Sequence, residues 1–241
     1  MNTPSTKPAA LWLVLFSRTL LFAVFQILIA AVLSFAGSAA PWNDSAGWWT
    51  FSALFTNLVS ILLLVWLFRR EQKRYFDFLS FSRQTVWKDV GITFLTMIVL
   101  LPLSILPNQW LATWLFGSNE IAFSLFFRPL PLWAGLVSIL YPITIALAEL
   151  PTYFGYVMPR LERQSGNGWL AWGIASFFLA FQHITLPLIL DWRFMLWRFG
   201  MFLPLALLLG LCLKIRPQLF AYSMIVHALL DMTTVAILLT L

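Results

Sequence analysis

Four ionisable side chains lie where the surrounding sequence offers them no water: Glu149 in IALAELPTYFGYVMPR, His183 in FFLAFQHITLPL, and His227 with Asp231 in SMIVHALLDMTT. His183 and His227 are the only histidines in the chain. An ionisable group at the centre of a membrane helix costs roughly 2.5 to 3.5 kcal/mol on insertion scales, so each is a functional-site hypothesis by default. His227 and Asp231 are four apart, hence stacked on one helical face, where the carboxylate can accept a ring N–H or both can face one ligand. Two carboxylates and two imidazoles on three helices suit a general-base site that activates water, or a ligand set for a divalent metal such as zinc. The plain alternative is a group of polar side chains that satisfy one another and fix helix packing.

Composition defines the scaffold that must hold them. The chain has 241 residues, 61% hydrophobic and 10% charged, against globular norms of roughly 45 to 50% and roughly 25%. Its 13 tryptophans and 23 phenylalanines, with charges gathered into short clusters, leave long stretches that water cannot solvate. This excludes an ordinary soluble domain. The net charge of +6 does not point to nucleic acid, because the basic residues are scattered at helix ends and form no stripe. Cys212, the single cysteine, lies in the apolar run LALLLGLCLK and allows no intrachain disulfide. Heme, flavin and nucleotide sites have no supporting motif. No cofactor is expected, with zinc at the four residues as the less favoured alternative.

Apolar runs predict helices over 11–36, 48–68, 90–106, 132–150, 169–190, 199–214 and 219–240. The fold class is therefore all-α integral membrane, with about seven transmembrane helices. The first run contains Arg18 and is too long for a signal-peptide core, so it reads as a retained span. The run at 199–214 is short and contains Pro204, which suits a tilted or half-embedded helix. Segments 75–90 and 108–131 mix aromatics with charges and read as interfacial amphipathic helices. No repeat or linker divides residues 1–241, which form a single multi-pass domain.

Eleven basic residues (Lys7, Arg69, Arg70, Lys73, Arg74, Arg83, Lys88, Arg160, Arg163, Lys214, Arg216) fall on one side of these helices, and three (Arg128, Arg193, Arg198) on the other. The positive-inside rule then places the N-terminus in the cytoplasm. Arg18, Asn57, Ser104, Thr144, Ser176 and Gln182 either line a cavity at the site or, more commonly for such residues, form interhelical hydrogen bonds. Pro151, just after Glu149 and Leu150, is expected to bend or interrupt its helix, which membrane depth tolerates only where protein or water satisfies the freed backbone. On these boundaries His183 and His227 differ in depth by about 9 Å at 1.5 Å per residue, which counts against a tight site.

The order and spacing of these residues resemble the CPBP family, which comprises CAAX-processing endopeptidases and bacterial relatives tied to bacteriocin processing or self-immunity. Its members have a Glu-Glu-x-x-x-Arg motif often followed by Gly, then Phe-x-x-x-His, then His-x-x-x-Asn/Asp. Glu149 matches the first glutamate, Tyr153 the aromatic before the arginine, and Gly155 the glycine after it. His183 matches the second motif, and His227 with Asp231 the third. The resemblance covers about residues 132–235. Leu150 stands where the second glutamate is expected, Phe154 at the arginine, and Leu179 at the phenylalanine of the second motif. Losing the glutamate and arginine together is physically coherent, since replacing both members of a buried ion pair by apolar groups can be neutral.

The resemblance implies an intramembrane endopeptidase in which Glu149 and His183 activate water. His227 would donate to the tetrahedral oxyanion, and Asp231 would orient His227 or, if protonated, donate as well. It implies a membrane-associated protein or peptide as substrate, the lipid bilayer as surroundings and the bacterial inner membrane as location. The alternative is a non-catalytic member acting as an immunity or regulatory partner of another membrane protein.

Overall fold

The computed structural model describes residues 8–241, and among them every regular element is helical. Lys7, the basic residue expected in the N-tail, lies outside the described residues. The helices are α1 (Pro8–Phe35), α2 (Pro41–Ser45), α3 (Trp49–Arg70), α4 (Val86–Phe116), α5 (Asn119–Ser124) and α6 (Leu132–Val137). They continue with α7 (Leu140–Leu150), α8 (Met158–Ser165), α9 (Gly168–Phe181), α10 (Trp192–Ile215) and α11 (Phe220–Leu238).

Six stretches are long and apolar enough to cross a membrane: Leu11–Phe35, Pro41–Arg70, Val86–Phe116, Leu132–Ser165, Trp192–Ile215 and Pro217–Leu238. Large apolar side chains such as Leu13, Phe94 and Leu229 face outward, while Arg18, Asn57, Glu149 and Gln182 are buried. That arrangement suits a chain surrounded by lipid. The protein is an all-α, multi-pass membrane protein.

Three expected boundaries are corrected. The helix expected over 90–106 runs on as α4 through Pro102 and Pro107 to Phe116. Residues 108–116 therefore extend a span, and only Asn119–Ser124 of the segment 108–131 forms a separate short helix before the chain turns back. Each proline removes one N–H, but ending the helix in lipid would expose many more backbone groups. The break comes at Gly117, whose positive φ of 82° terminates α4. Of the segment 75–90, Tyr75–Leu79 is a 3₁₀ turn and α4 begins at Val86. The third correction is α10: it has 24 residues with Pro204 inside it, a full span in place of the half-embedded helix expected at 199–214.

The run at 169–190 divides. Asn167 caps α9 by accepting from the amides of Trp169 and Leu170, both at 3.0 Å, and the α-helix ends at Phe181. Gln182–Ile184 form a 3₁₀ turn, and a non-helical segment leads to Asp191. Helix α1 satisfies much of this irregular backbone. Gln26 donates to the Leu188 carbonyl at 2.9 Å and accepts from the Leu188 amide at 2.6 Å, and Thr185 donates to the Thr19 carbonyl at 3.0 Å. Irregular chain at membrane depth requires such protein partners.

A second irregularity follows Glu149. Pro151–Val157 is a π-helical turn that joins α7 to α8 without a break. Pro151 has no N–H to offer the Leu147 carbonyl, and the Tyr75 hydroxyl donates to that carbonyl instead. Thr152 donates its hydroxyl to the Ala148 carbonyl at 2.7 Å. The expected interruption is thus a widened turn, stabilised by side chains from elsewhere. α7 packs against α3 and α11, α1 against α3, and α10 against α4 and α9.

Candidate functional site

Glu149 is one residue from the end of α7 and is buried at 3% exposure. His183 reaches it from the 3₁₀ turn after α9, and His227 with Asp231 from one face of α11. His183 Nε2 lies 3.7 Å from Glu149 Oε2, and His227 Nε2 lies 3.6 Å from Glu149 Oε1. His227 Nε2 is also 3.1 Å from Asp231 Oδ2, at ion-pair distance but not aligned as a hydrogen bond. The four residues proposed from sequence therefore converge, and the depth mismatch expected between the histidines does not arise. His183 sits beyond the end of α9, while the last span starts with a 3₁₀ turn at Pro217–Leu219, before α11 itself.

Hydrogen bonds set the roles of the rings. His183 Nδ1 donates to the Leu179 carbonyl at 2.9 Å, which leaves Nε2 of a neutral ring as an acceptor facing Glu149. The ring is stacked on Phe202 with centroids 3.6 Å apart. Two acceptors 3.7 Å apart can share one donor, such as a water, placed to the side of both. His227 Nε2, by contrast, has a carboxylate oxygen on each side, a setting that suits a protonated ring nitrogen.

Glu149 has one strong hydrogen bond within the protein: Gln182 Nε2 donates to its Oε2 at 2.5 Å. Gln182 Oε1 accepts from Arg18 Nε at 2.7 Å and from the Tyr153 hydroxyl at 3.4 Å. Arg18 also donates to Ser60 Oγ at 3.2 Å and to Asn57 Oδ1 at 2.9 Å. Gln182 thus bonds Glu149 directly, and Arg18 is linked to it through Gln182. The sequence signal for Arg18 was its charge inside an apolar run; for Gln182 it was only adjacency to His183.

All four residues line one cavity of about 440 Å³, together with Tyr141 and Arg198. The cavity extends from Glu149 past Leu100 and Phe126 to Trp49, Asn119 and Phe123, at the end of the bundle where α4 meets α5. Phe154 does not fill it. That ring packs on the other side against Gly210, where an added Cβ would come within 2.6 Å of Phe154 Cε1 and 2.7 Å of Ser176 Oγ. Leu150 and Leu179, the other two apolar departures from the CPBP pattern, are also buried and, unlike Phe154, line the cavity. Among the described residues, no three His, Cys, Asp or Glu side chains converge with the geometry of a metal site.

One sequence assignment is overturned. Arg198 was counted among the basic residues of a loop, but it is buried at 4% exposure on α10 and faces the cavity. It lies in an apolar helix start (DWRFMLWRFG) that resembles an ordinary charged boundary, and only the extension of α10 back to Trp192 places it inside. Compared with known protein families, with curated proteins and with solved structures, the chain matches none.

Proposed function

We propose that the protein is an intramembrane endopeptidase of the CPBP type, hydrolysing a peptide bond of a membrane-associated protein or peptide. The observation that carries this reading is the Glu149 carboxylate between the Nε2 atoms of His183 and His227, at 3.7 and 3.6 Å, on the wall of a cavity. In this mechanism Glu149 and His183 both accept hydrogen bonds from a water molecule. The water oxygen attacks the scissile carbonyl carbon as Glu149 takes its proton, and the carbonyl π electrons move to the oxygen. His227 Nε2–H donates to that oxyanion, with Asp231 behind it stabilising the donor. The C–N bond then breaks as Glu149 returns the proton to the leaving amine. Gln182 and Arg18 act as positioning residues for the Glu149 carboxylate.

The proposed orientation in a bacterial inner membrane is supported by the side chains that remain at the bundle ends. Arg69, Arg70, Lys73, Arg74, Arg83, Lys88 and Arg163 are exposed at one end, with Lys214 and Arg216 beside them. The other end has Arg128, bonded to the Asn43 carbonyl, and Arg193, paired with Asp191. This asymmetry supports a cytoplasmic N-terminus. On this orientation the cavity wall at Asn119 and Phe123 lies at the extracytoplasmic end.

The test is Glu149→Gln in the full chain, with folding checked by thermal unfolding and cleavage of a membrane-associated peptide as the readout. The variant is expected to fold and to lose cleavage. A variant that cleaves as well as wild type would sink the proposal. A second reading, a non-catalytic immunity or regulatory partner, is favoured by Leu150 and Phe154 where the family has an ion pair. It predicts that Glu149→Gln and wild type behave alike in a cellular assay.

A further inference from the structure

Buried basic side chains in this protein are mostly partnered. Arg160 pairs with Glu71, and Arg18 is held by Gln182, Asn57 and Ser60. Arg198 is the exception. Its Nη2 donates to the Leu186 carbonyl at 2.9 Å and its Nη1 contacts Met201 Sδ at 3.8 Å. Its Nε has no hydrogen-bond partner, and it forms no ion pair with a carboxylate of the described residues. The rings of Phe126, Phe202 and Trp197 lie 4.8, 5.0 and 5.8 Å from the guanidinium carbon. A full positive charge with one carbonyl acceptor and a collar of aromatic rings is a site short of an anion.

The same guanidinium lines the cavity, whose walls are mostly apolar, among them Leu100, Phe123, Phe126 and Phe202, with polar groups at Asn108, Asn119 and Asp231. Arg198 is six residues into α10, or roughly 9 Å from its first residue at 1.5 Å per residue, within reach of an amphiphile entering from that end. A volume of about 440 Å³ is in the range of small-molecule sites. An alkyl chain needs no polar partner along this wall.

We propose that this cavity is a binding site for a single-chain anionic amphiphile, with its carboxylate or phosphate head on Arg198 and its alkyl chain along the apolar wall. The guanidinium is a planar fork of donors with no carboxylate of the described residues paired to it, and such a fork matches the oxygens of either head group. The site is independent of peptide hydrolysis, and an occupant would share the cavity with Glu149 and so exclude a peptide.

The test is thermal unfolding of the full chain in a neutral detergent, with four probes: dodecanoate, dodecyl phosphate, dodecanol and inorganic phosphate. The expected result is a rise in Tm of roughly 5 to 10 °C at a hundredfold excess over Kd for a dodecyl anion. The larger of the two anion shifts identifies the head group. Dodecanol and inorganic phosphate should leave Tm unchanged, and Arg198→Gln should abolish the shift. An equal shift with dodecanol, the same shift from inorganic phosphate alone, or a full shift in folded Arg198→Gln would overturn the proposal. If Arg198→Gln does not fold, the four-probe comparison on wild type decides. Glu149→Gln should keep the anion shift whether or not cleavage is ever observed, so the two proposals fail separately.

Discussion

The guanidinium of Arg18 donates to the side-chain oxygen of Gln182 at 2.7 Å, across 164 positions of chain. Arginine has donors only, so it fixes which end of the amide faces it. The Gln182 NH₂ group is thereby turned toward Glu149. Without Arg18 the amide is free to flip and present its oxygen to the carboxylate.

Arg18→Met should therefore destabilise the protein by about 3 to 5 kcal/mol, the cost of leaving a buried charge uncompensated. Adding Glu149→Gln on that background should recover part of the loss, because the carboxylate is then neutral. Thermal unfolding of the two single variants and the double variant provides the check. Simple additivity would mean that Arg18 supports packing alone.

The Tyr75 hydroxyl replaces a backbone donor that Pro151 cannot supply. Tyr75→Phe should cost about 1 to 3 kcal/mol, the penalty for an unsatisfied buried carbonyl. In a Pro151→Ala background the restored N–H can reach the Leu147 carbonyl, and the same substitution should cost less. A double-mutant cycle in thermal stability measures the difference.

Gly210 faces the Phe154 ring so closely that Gly210→Ala needs that ring to move. The expected loss is about 1 to 3 kcal/mol from overpacking. Phe154→Leu should relieve it in the double variant. If Gly210→Ala alone were neutral by thermal unfolding, the apolar replacement at position 154 would not depend on the small residue opposite.

Glu71 lies just beyond α3 and accepts from Arg160 Nε at 2.8 Å and from Arg160 Nη2. Burial alone would raise its pKa, but the hydrogen bonds and charge of Arg160 outweigh it and hold the carboxyl below the ordinary 4.5. A depressed folded-state pKa contributes stability that is complete above the unfolded value and lost as pH falls through the folded one. Melting temperature should thus decline on acidification below about pH 4.5, and Glu71→Gln should flatten that decline. An unchanged acid limb in Glu71→Gln would show that other carboxylates control it.

Glu149, His183, His227 and Asp231 were legible in the sequence because ionisable groups in apolar runs are costly and need a reason to persist. Their convergence required a register that spacing does not fix, since His183 depends on where α9 stops and its 3₁₀ turn begins. Arg198 was illegible for the opposite reason: an arginine near a helix start is ordinary until α10 is known to begin at Trp192. The end of α4 was misplaced because residues 108–131 mix aromatics with charges and read as one interfacial segment, whereas the helix continues to Gly117. Gln182 gained its role only through contact with α1, which no local pattern encodes.

The π turn at Pro151–Val157 has one further consequence, for tolerance to changes in chain length. It lies between Glu149, which faces the cavity, and Arg160, which pairs with Glu71. An extra residue within a turn is the kind of feature that a one-residue deletion would convert to regular helix. Each residue of α-helix turns the chain by about 100°, so such a deletion would swing Arg160 away from Glu71 while leaving Glu149 in place. The two charged centres are locked in phase by a count of residues, and this stretch should reject any insertion or deletion.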